Sequence, residues 1–146
     1  MSLLRYLRTR LDARMDAAPK SCRGFGCSAC CRSDVMAHPM EIDDIADAVP
    51  ADRVATIRAR AADPISLESL SCPCPLLDGD GGCSIYAHRP LVCRAYAVTS
   101  PPERCESGTP VHALPAGVTM GEADNLLPGG KAAFEPLVWA LARRLG

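Results

Sequence analysis

The sequence contains few large aromatic residues, with only two Phe, one Trp and three Tyr among 146 residues. Aromatic side chains normally contribute much of the buried area of a core, so their scarcity suggests that another interaction helps to stabilise this fold. Bound metal and disulfide bonds are the usual substitutes in small domains. The nine cysteines of the chain are therefore the first feature to explain.

The sequence also has no large excess of positive or negative charge. The 16 Lys and Arg residues nearly balance the 17 Asp and Glu residues. Nucleic acids and anionic membrane surfaces attract proteins that carry a strong positive field, which this chain lacks. We therefore expect neither a nucleic acid nor a membrane as a partner, whereas a protein partner is compatible with the sequence.

Long apolar runs are absent as well. Charges interrupt the N-terminal segment from Arg5 onward, and no run approaches the roughly 20 apolar residues of a membrane-spanning helix. This pattern is not that of an exported protein, so we expect a cytoplasmic location. Cysteines in a reducing cytosol stay free unless they bind metal or do redox work, which makes a disulfide framework the weaker interpretation.

Apolar periodicity predicts a mainly helical chain. Leucines recur every four residues near the N-terminus, and three later segments also carry an apolar side. The predicted helices are residues 3–18, a helix from Pro39, a short helix around 54–61, and residues 131–145. Residues 98–128 are rich in proline and glycine and are predicted to be mostly loop.

The segment CPLLDGDGGCSIYAHRPLVCRAY predicts a short hairpin followed by a short helix. Its Asp and Gly residues at 78–82 are typical of a turn, and Pro90 can open a helix that places Cys93 about one turn inside it. Cys83 and Cys93 would then face a common pocket. We predict a predominantly α-helical α+β fold, a single metal-stabilised domain over 1–146 with a loop-rich cysteine centre at about 22–105.

The cysteines form two groups, and their spacing indicates a metal site. They are Cys22, Cys27, Cys30 and Cys31, then Cys72, Cys74, Cys83, Cys93 and Cys105. A Cys-x-x-Cys pair such as Cys27 and Cys30 lets two thiolates converge on one metal ion. Soft thiolates favour zinc, copper(I) or iron–sulfur clusters over magnesium and calcium. Zinc and an iron–sulfur cluster both remain open at this point.

Arginine and histidine residues near the cysteines are weaker signals. Four arginines, Arg23, Arg32, Arg94 and Arg104, each adjoin a cysteine and could lower its thiol pKa, although a chain with 14 Arg offers such neighbours by chance. The histidines lack metal-ligand spacing and are better interpreted as structural or surface residues. His88, which lies between two cysteines, is the strongest ligand candidate among them.

The cysteine-rich centre resembles the YkgJ-type cysteine-cluster family, whose members are described as zinc- or iron-chelating domains. CPLLDGDGGCSIYAHRPLVCRAY is similar to the second signature of that family, and FGCSACCR is similar to the end of its first signature, Cys-x2-Cys-x2-Cys-Cys. Gly24 stands at the first cysteine position of that signature, and Cys22 is the candidate replacement. The resemblance implies metal ligands at Cys22, Cys27, Cys30, Cys31, Cys74, Cys83, Cys93 and Cys105.

Two functional classes follow from these observations. The first is a metal-binding protein that holds zinc or an iron–sulfur cluster, with the metal contributing to the folding free energy. The second is an iron–sulfur redox protein, or an enzyme or accessory protein of protein modification, because a similar cysteine module occurs in flagellin lysine N-methylase. No motif defines a substrate, and Glu103 and Glu106 beside Cys105 are better interpreted as loop carboxylates than as a general base.

Overall fold

The computed structural model describes residues 1–17, 28, 30–31, 35–63, 73–111 and 114–146. Seven α-helices lie within these residues, joined by short 3-10 turns. The helices are α1 (Leu3–Ala17), α2 (Pro39–Ala48), α3 (Val54–Ala62), α4 (Leu91–Ala95), α5 (Pro102–Glu106), α6 (Leu114–Leu126) and α7 (Leu137–Leu145). No helix in the described part of the chain is both long enough and apolar enough to cross a membrane.

Helix α2 begins where the sequence predicts, and a capping box explains its start. Pro39 occupies the first helical turn, the His38 side chain accepts a hydrogen bond from the Met40 N–H, and the Glu41 side chain reaches back to the His38 N–H. Such reciprocal caps satisfy N–H groups that have no partner inside the helix. The start of α2 is therefore encoded locally.

Two hydrophobic clusters form the core. The first cluster joins α2, α3 and α7 through buried residues such as Ile45, Ile57 and Leu141. The second cluster joins α1, α4 and α6, and its members are Leu7, Leu11, Leu91, Ala95, Ala123 and Leu127. Because α4 carries Cys93, the packing of the second cluster determines where that cysteine lies.

The β structure is small. Strand β1 (Met36–Ala37) pairs antiparallel with β2 (Glu135–Pro136), and the Leu137 N–H donates to the Val35 carbonyl at 2.8 Å. The predicted hairpin is reduced to a single antiparallel bridge between Leu77 and Cys83. The predicted fold class, predominantly α-helical α+β, is confirmed.

The predicted loop at 98–128 is wrong, because α5 and α6 lie within it. The prolines that suggested a loop stand at helix beginnings: Pro102 opens α5, and Pro115 is the second residue of α6. Proline is tolerated in a first helical turn, where its missing N–H would have no partner. Pro128 follows the end of α6.

The predicted C-terminal helix 131–145 begins too early. Residues Gly130–Ala133 form a 3-10 turn, β2 follows, and α7 starts only at Leu137. Gly129 and Gly130 adopt positive φ angles of 77° and 57°, a region that glycine enters without strain. Pro136 disfavours helical geometry at Glu135, which is instead extended and pairs with β1.

Candidate metal centre

Six cysteines fall within the described residues, and all six are partly buried thiols that form no disulfide bond. They are Cys30, Cys31, Cys74, Cys83, Cys93 and Cys105. The predicted ligands Cys22 and Cys27 lie outside the described residues, as does Cys72. Cys105 lies on α5, and its carbonyl accepts a hydrogen bond from the Gly108 N–H.

The first cysteine group contacts the second through the main chain. The Cys31 N–H donates to the Ser28 carbonyl at 2.9 Å, which closes a short turn. The Cys74 N–H donates to the Cys31 carbonyl at 2.6 Å. Two cysteines that are 43 positions apart in the sequence are thus joined directly.

Cys74 lies three residues before the Leu77–Cys83 bridge, and Cys83 is one of the two bridge residues. The Leu77 N–H donates to the Cys74 carbonyl at 3.0 Å, and both cysteines pack against the first hydrophobic cluster. The turn at 78–82 lets the chain reverse, with Gly81 at a φ of 83°. This loop contains little regular secondary structure, yet it holds both cysteines against buried side chains of the first cluster.

Two arginines at α3 anchor this loop. Arg53, at the N-cap of α3, donates to the Leu77 carbonyl at 3.0 Å and to the Asp78 carboxylate at 2.8 Å. Arg60 in the last turn of α3 donates to the Pro73 carbonyl at 2.6 Å, next to Cys74. Since two of these contacts are to main-chain carbonyls of the segment that carries Cys74, and the third is to the Asp78 carboxylate, α3 restrains the loop from one side.

Cys93 lies in the middle of α4, as the sequence predicts. The next residue, Arg94, binds other groups: it donates to the Asp12 carboxylate at 2.7 Å, to the Arg89 carbonyl at 3.1 Å and to the Ala87 carbonyl. Its side chain is only 6% exposed. The predicted role of Arg94 beside a ligand is therefore replaced by a contact that holds the turn before α4.

Glu41 is the functional candidate that the sequence interpretation missed. It is fully buried, and its two carboxylate oxygens accept from the His38 N–H at 3.0 Å and from the Leu91 N–H at 2.7 Å. Burial raises the pKa of Glu41, while these two N–H donors and Arg8 act in the opposite direction. The capping box was readable as a local signal, but the contact with Leu91, fifty positions away, was not.

Five of the thiols are close enough to perturb one another. Burial is the main cause that raises the pKa of Cys74, Cys83 and Cys93, and charge on neighbouring cysteines adds to the effect for Cys74 and Cys93. Cys93 is influenced by Cys74, Cys30 and Cys83. Cysteines from three separate segments thus share one electrostatic environment.

Cys30 and Cys31 form a hydrogen-bonded thiol pair. The hydrogen bond from Cys31 lowers the pKa of Cys30 to about 7 against the opposing effect of burial. The same bond raises the pKa of Cys31, with burial and the charges of Cys30, Cys74 and Cys93 adding to it. One sulfur therefore ionises readily while its neighbour keeps its proton.

Two arginines that influence the described thiols are not sequence neighbours of them. Arg60 acts to lower the pKa of Cys74, and Arg89 acts to lower that of Cys83, although burial outweighs both effects. Arg23 and Arg32 lie outside the described residues. Spatial neighbours from α3 and from the turn before α4 thus supply the positive charge.

The described histidines have structural contacts. His88 Nδ1 lies 3.0 Å from the Asp44 carboxylate. His38 caps α2, its Nε2 lies 2.8 Å from the Pro128 carbonyl, and its ring packs edge-on against Phe134. Since His38 Nδ1 accepts from the Met40 N–H, its proton belongs on Nε2, which donates to Pro128. His112 lies outside the described residues.

The donor set fits a soft metal. Free thiols become strong ligands for zinc and iron when they ionise, and a bound cation offsets the repulsion between neighbouring thiolates. Within the residues that the structure describes, no group of three or more His, Cys, Asp and Glu side chains is arranged to hold a metal ion.

Comparisons with known proteins support the metal-binding interpretation at the level of the family. Neither the curated proteins nor the solved structures give a match to this chain. One family does match, named CxxCxxCC and described as "Putative zinc- or iron-chelating domain". Its match covers residues 21–112, which is more than half of the chain and includes all nine cysteines. The protein therefore belongs to the CxxCxxCC family of zinc- or iron-chelating domains.

Proposed function

We propose that the protein binds zinc or an iron–sulfur cluster through cysteine thiolates that converge from several segments. The proposed ligands are Cys22, Cys27, Cys30, Cys31, Cys74, Cys83, Cys93 and Cys105. The observation that carries the proposal is the mutual effect on pKa among five of these thiols, which belong to the turn at 30–31, the bridged loop at 74–83 and α4.

The protein's own contribution to this site is to hold thiols near one another. The main-chain bond between Cys74 and Cys31 joins the two cysteine groups, and the α3 arginines restrain the loop that carries Cys74 and Cys83. Bound metal would supply positive charge and would compete with protons for the sulfurs. A reducing compartment such as the cytoplasm would keep these thiols available.

The experiment that tests this proposal measures metal and sulfide in protein purified without oxygen. Elemental analysis, acid-labile sulfide and a visible spectrum are recorded for the wild type and for Cys93→Ser. Iron with sulfide and a broad visible absorbance identifies a cluster, whereas zinc in colourless protein identifies a zinc site. In either case Cys93→Ser should lose most of the metal.

The matched control is Cys72→Ser, which removes a cysteine outside the predicted ligand set. This variant should keep the wild-type metal content. A wild-type protein that takes up neither zinc nor iron on reconstitution would contradict the proposal. Full metal content in Cys93→Ser would exclude Cys93 as a ligand.

A further inference from the structure

Glu41 connects the cap of α2 to the beginning of the helix that carries Cys93. Its Oε2 accepts from the His38 N–H within the capping box, and its Oε1 accepts from the Leu91 N–H at 2.7 Å. Both oxygens are therefore occupied by main-chain donors. A ligand role for this carboxylate would require it to release one of them.

The burial of this carboxylate is more than a helix cap requires. Ser, Thr, Asp or Asn at the preceding cap position can satisfy such N–H groups at the surface of a protein. Glu41 is instead fully buried, and a buried carboxylate is unfavourable unless it is well hydrogen-bonded. The second bond, to Leu91, is the one that α2 itself does not need.

Helix α4 has little capacity to hold its own position. It has five residues, which is far below the length at which an isolated helix is stable in water. Its described anchors are the packing of Leu91 and Ala95 in the second cluster, the Arg94 contacts with the preceding turn, and the Glu41 bond at Leu91. Leu91 precedes Cys93 by two residues, so a shift at Leu91 moves the thiol as well.

We propose that Glu41 is a positioning residue for the metal centre: through the Leu91 N–H it places α4 so that the Cys93 thiol points towards the other cysteines. This inference rests on the proposed function, because a position for Cys93 matters only if its sulfur binds metal. Residues that orient metal ligands without touching the metal typically change affinity about 10- to 100-fold when they are replaced.

The test compares two Glu41 variants that separate geometry from charge. Glu41→Gln keeps the size but offers only one acceptor oxygen, so one of the two N–H donors faces an NH₂ group. Glu41→Asp keeps the charge but shortens the side chain by one methylene group, so it cannot span both donors. Asp47→Asn, an exposed change on the same helix, is the matched control for loss of a negative charge.

The measurements are the Kd for Zn²⁺ by competition and the absorbance of the Co²⁺-loaded protein, whose bands report thiolate ligation. They are made at a temperature where circular dichroism shows that each variant is folded. In both Glu41 variants the Kd for Zn²⁺ should rise at least about tenfold, and the Co²⁺ absorbance bands should change. Asp47→Asn should keep the Kd and the bands of the wild type. If Glu41→Gln does not fold, the Asp variant decides the question.

Three outcomes would overturn the inference. Folded Glu41 variants with wild-type affinity and spectra would make the residue purely structural. Weaker or tighter binding in Glu41→Gln alone, with Glu41→Asp unchanged, would show that the charge matters rather than the position. A wild-type protein that binds neither Zn²⁺ nor Co²⁺, and that also takes up no iron on reconstitution, would refute the proposed function itself, and the inference with it.

Discussion

Replacement of Arg94 by Met should destabilise the protein strongly, because the guanidinium group holds three acceptors in a nearly buried position. It contacts the Asp12 carboxylate and the carbonyls of Ala87 and Arg89, and its side chain is 6% exposed. Methionine fills most of the same volume without these hydrogen bonds. The decrease in the free energy of unfolding should therefore measure the lost polar contacts rather than the cost of a cavity.

The magnitude follows from the exposure of the partners. Breaking a fully buried ion pair costs about 3–5 kcal/mol, and a hydrogen bond to a charged group contributes roughly 1.5–3 kcal/mol. Asp12 is 42% exposed and can be rehydrated when Arg94 is absent, which reduces the loss. We expect the free energy of unfolding to fall by about 2–4 kcal/mol.

The assay is urea unfolding of the reduced protein as purified without oxygen, at equal metal content for each variant. The slope of the unfolding free energy against urea concentration is checked to be the same for all variants. Arg14→Met is the control, because Arg14 forms a 2.9 Å pair with Glu122 in which both side chains are more than one third exposed. Exposed pairs contribute at most about 1 kcal/mol. Equal decreases in the free energy of unfolding for Arg94→Met and Arg14→Met would refute the reasoning that burial makes the Arg94 contacts stronger.

Two further predictions concern the core and the response to acid. Leu141→Ala, in the first cluster, should lower the free energy of unfolding by about 2–5 kcal/mol in urea melts, whereas the exposed Leu126→Ala should be nearly neutral. Hydrogen bonds from His88 and Arg8 lower the pKa of Asp44 against the effect of its partial burial. The stability that Asp44 contributes is therefore present above its unfolded value of 3.8 and is lost as the pH falls through the lower folded pKa. As the pH falls from about 5 to about 2, the urea midpoint of the wild type should approach that of Asp44→Asn; a difference that grows over this range would contradict the assignment.

Proline and glycine explain most of the difference between the predicted and observed helices. The sequence prediction treated Pro102 and Pro115 as signs of a loop, although proline in a first helical turn is compatible with a helix. It also extended the last helix through Pro136, which the structure places before α7, beside a strand. The local signal was ambiguous in α6 and at residues 135–136, where packing of α6 in the second cluster and pairing with β1 decided the conformation.

The sequence by itself determined the helical class, the starts of α2 and α4, the clustering of cysteines and the family signature, because these depend on periodicity, caps and short spacings. Tertiary structure alone decided which groups meet across long separations. It joined the Cys74 N–H to the Cys31 carbonyl and the Glu41 carboxylate to the Leu91 N–H. It also brought Arg60 and Arg89 near thiols that are not their sequence neighbours. Such contacts depend on how the helices pack, and the packing surface of each helix is compatible with several arrangements until the whole core is assembled.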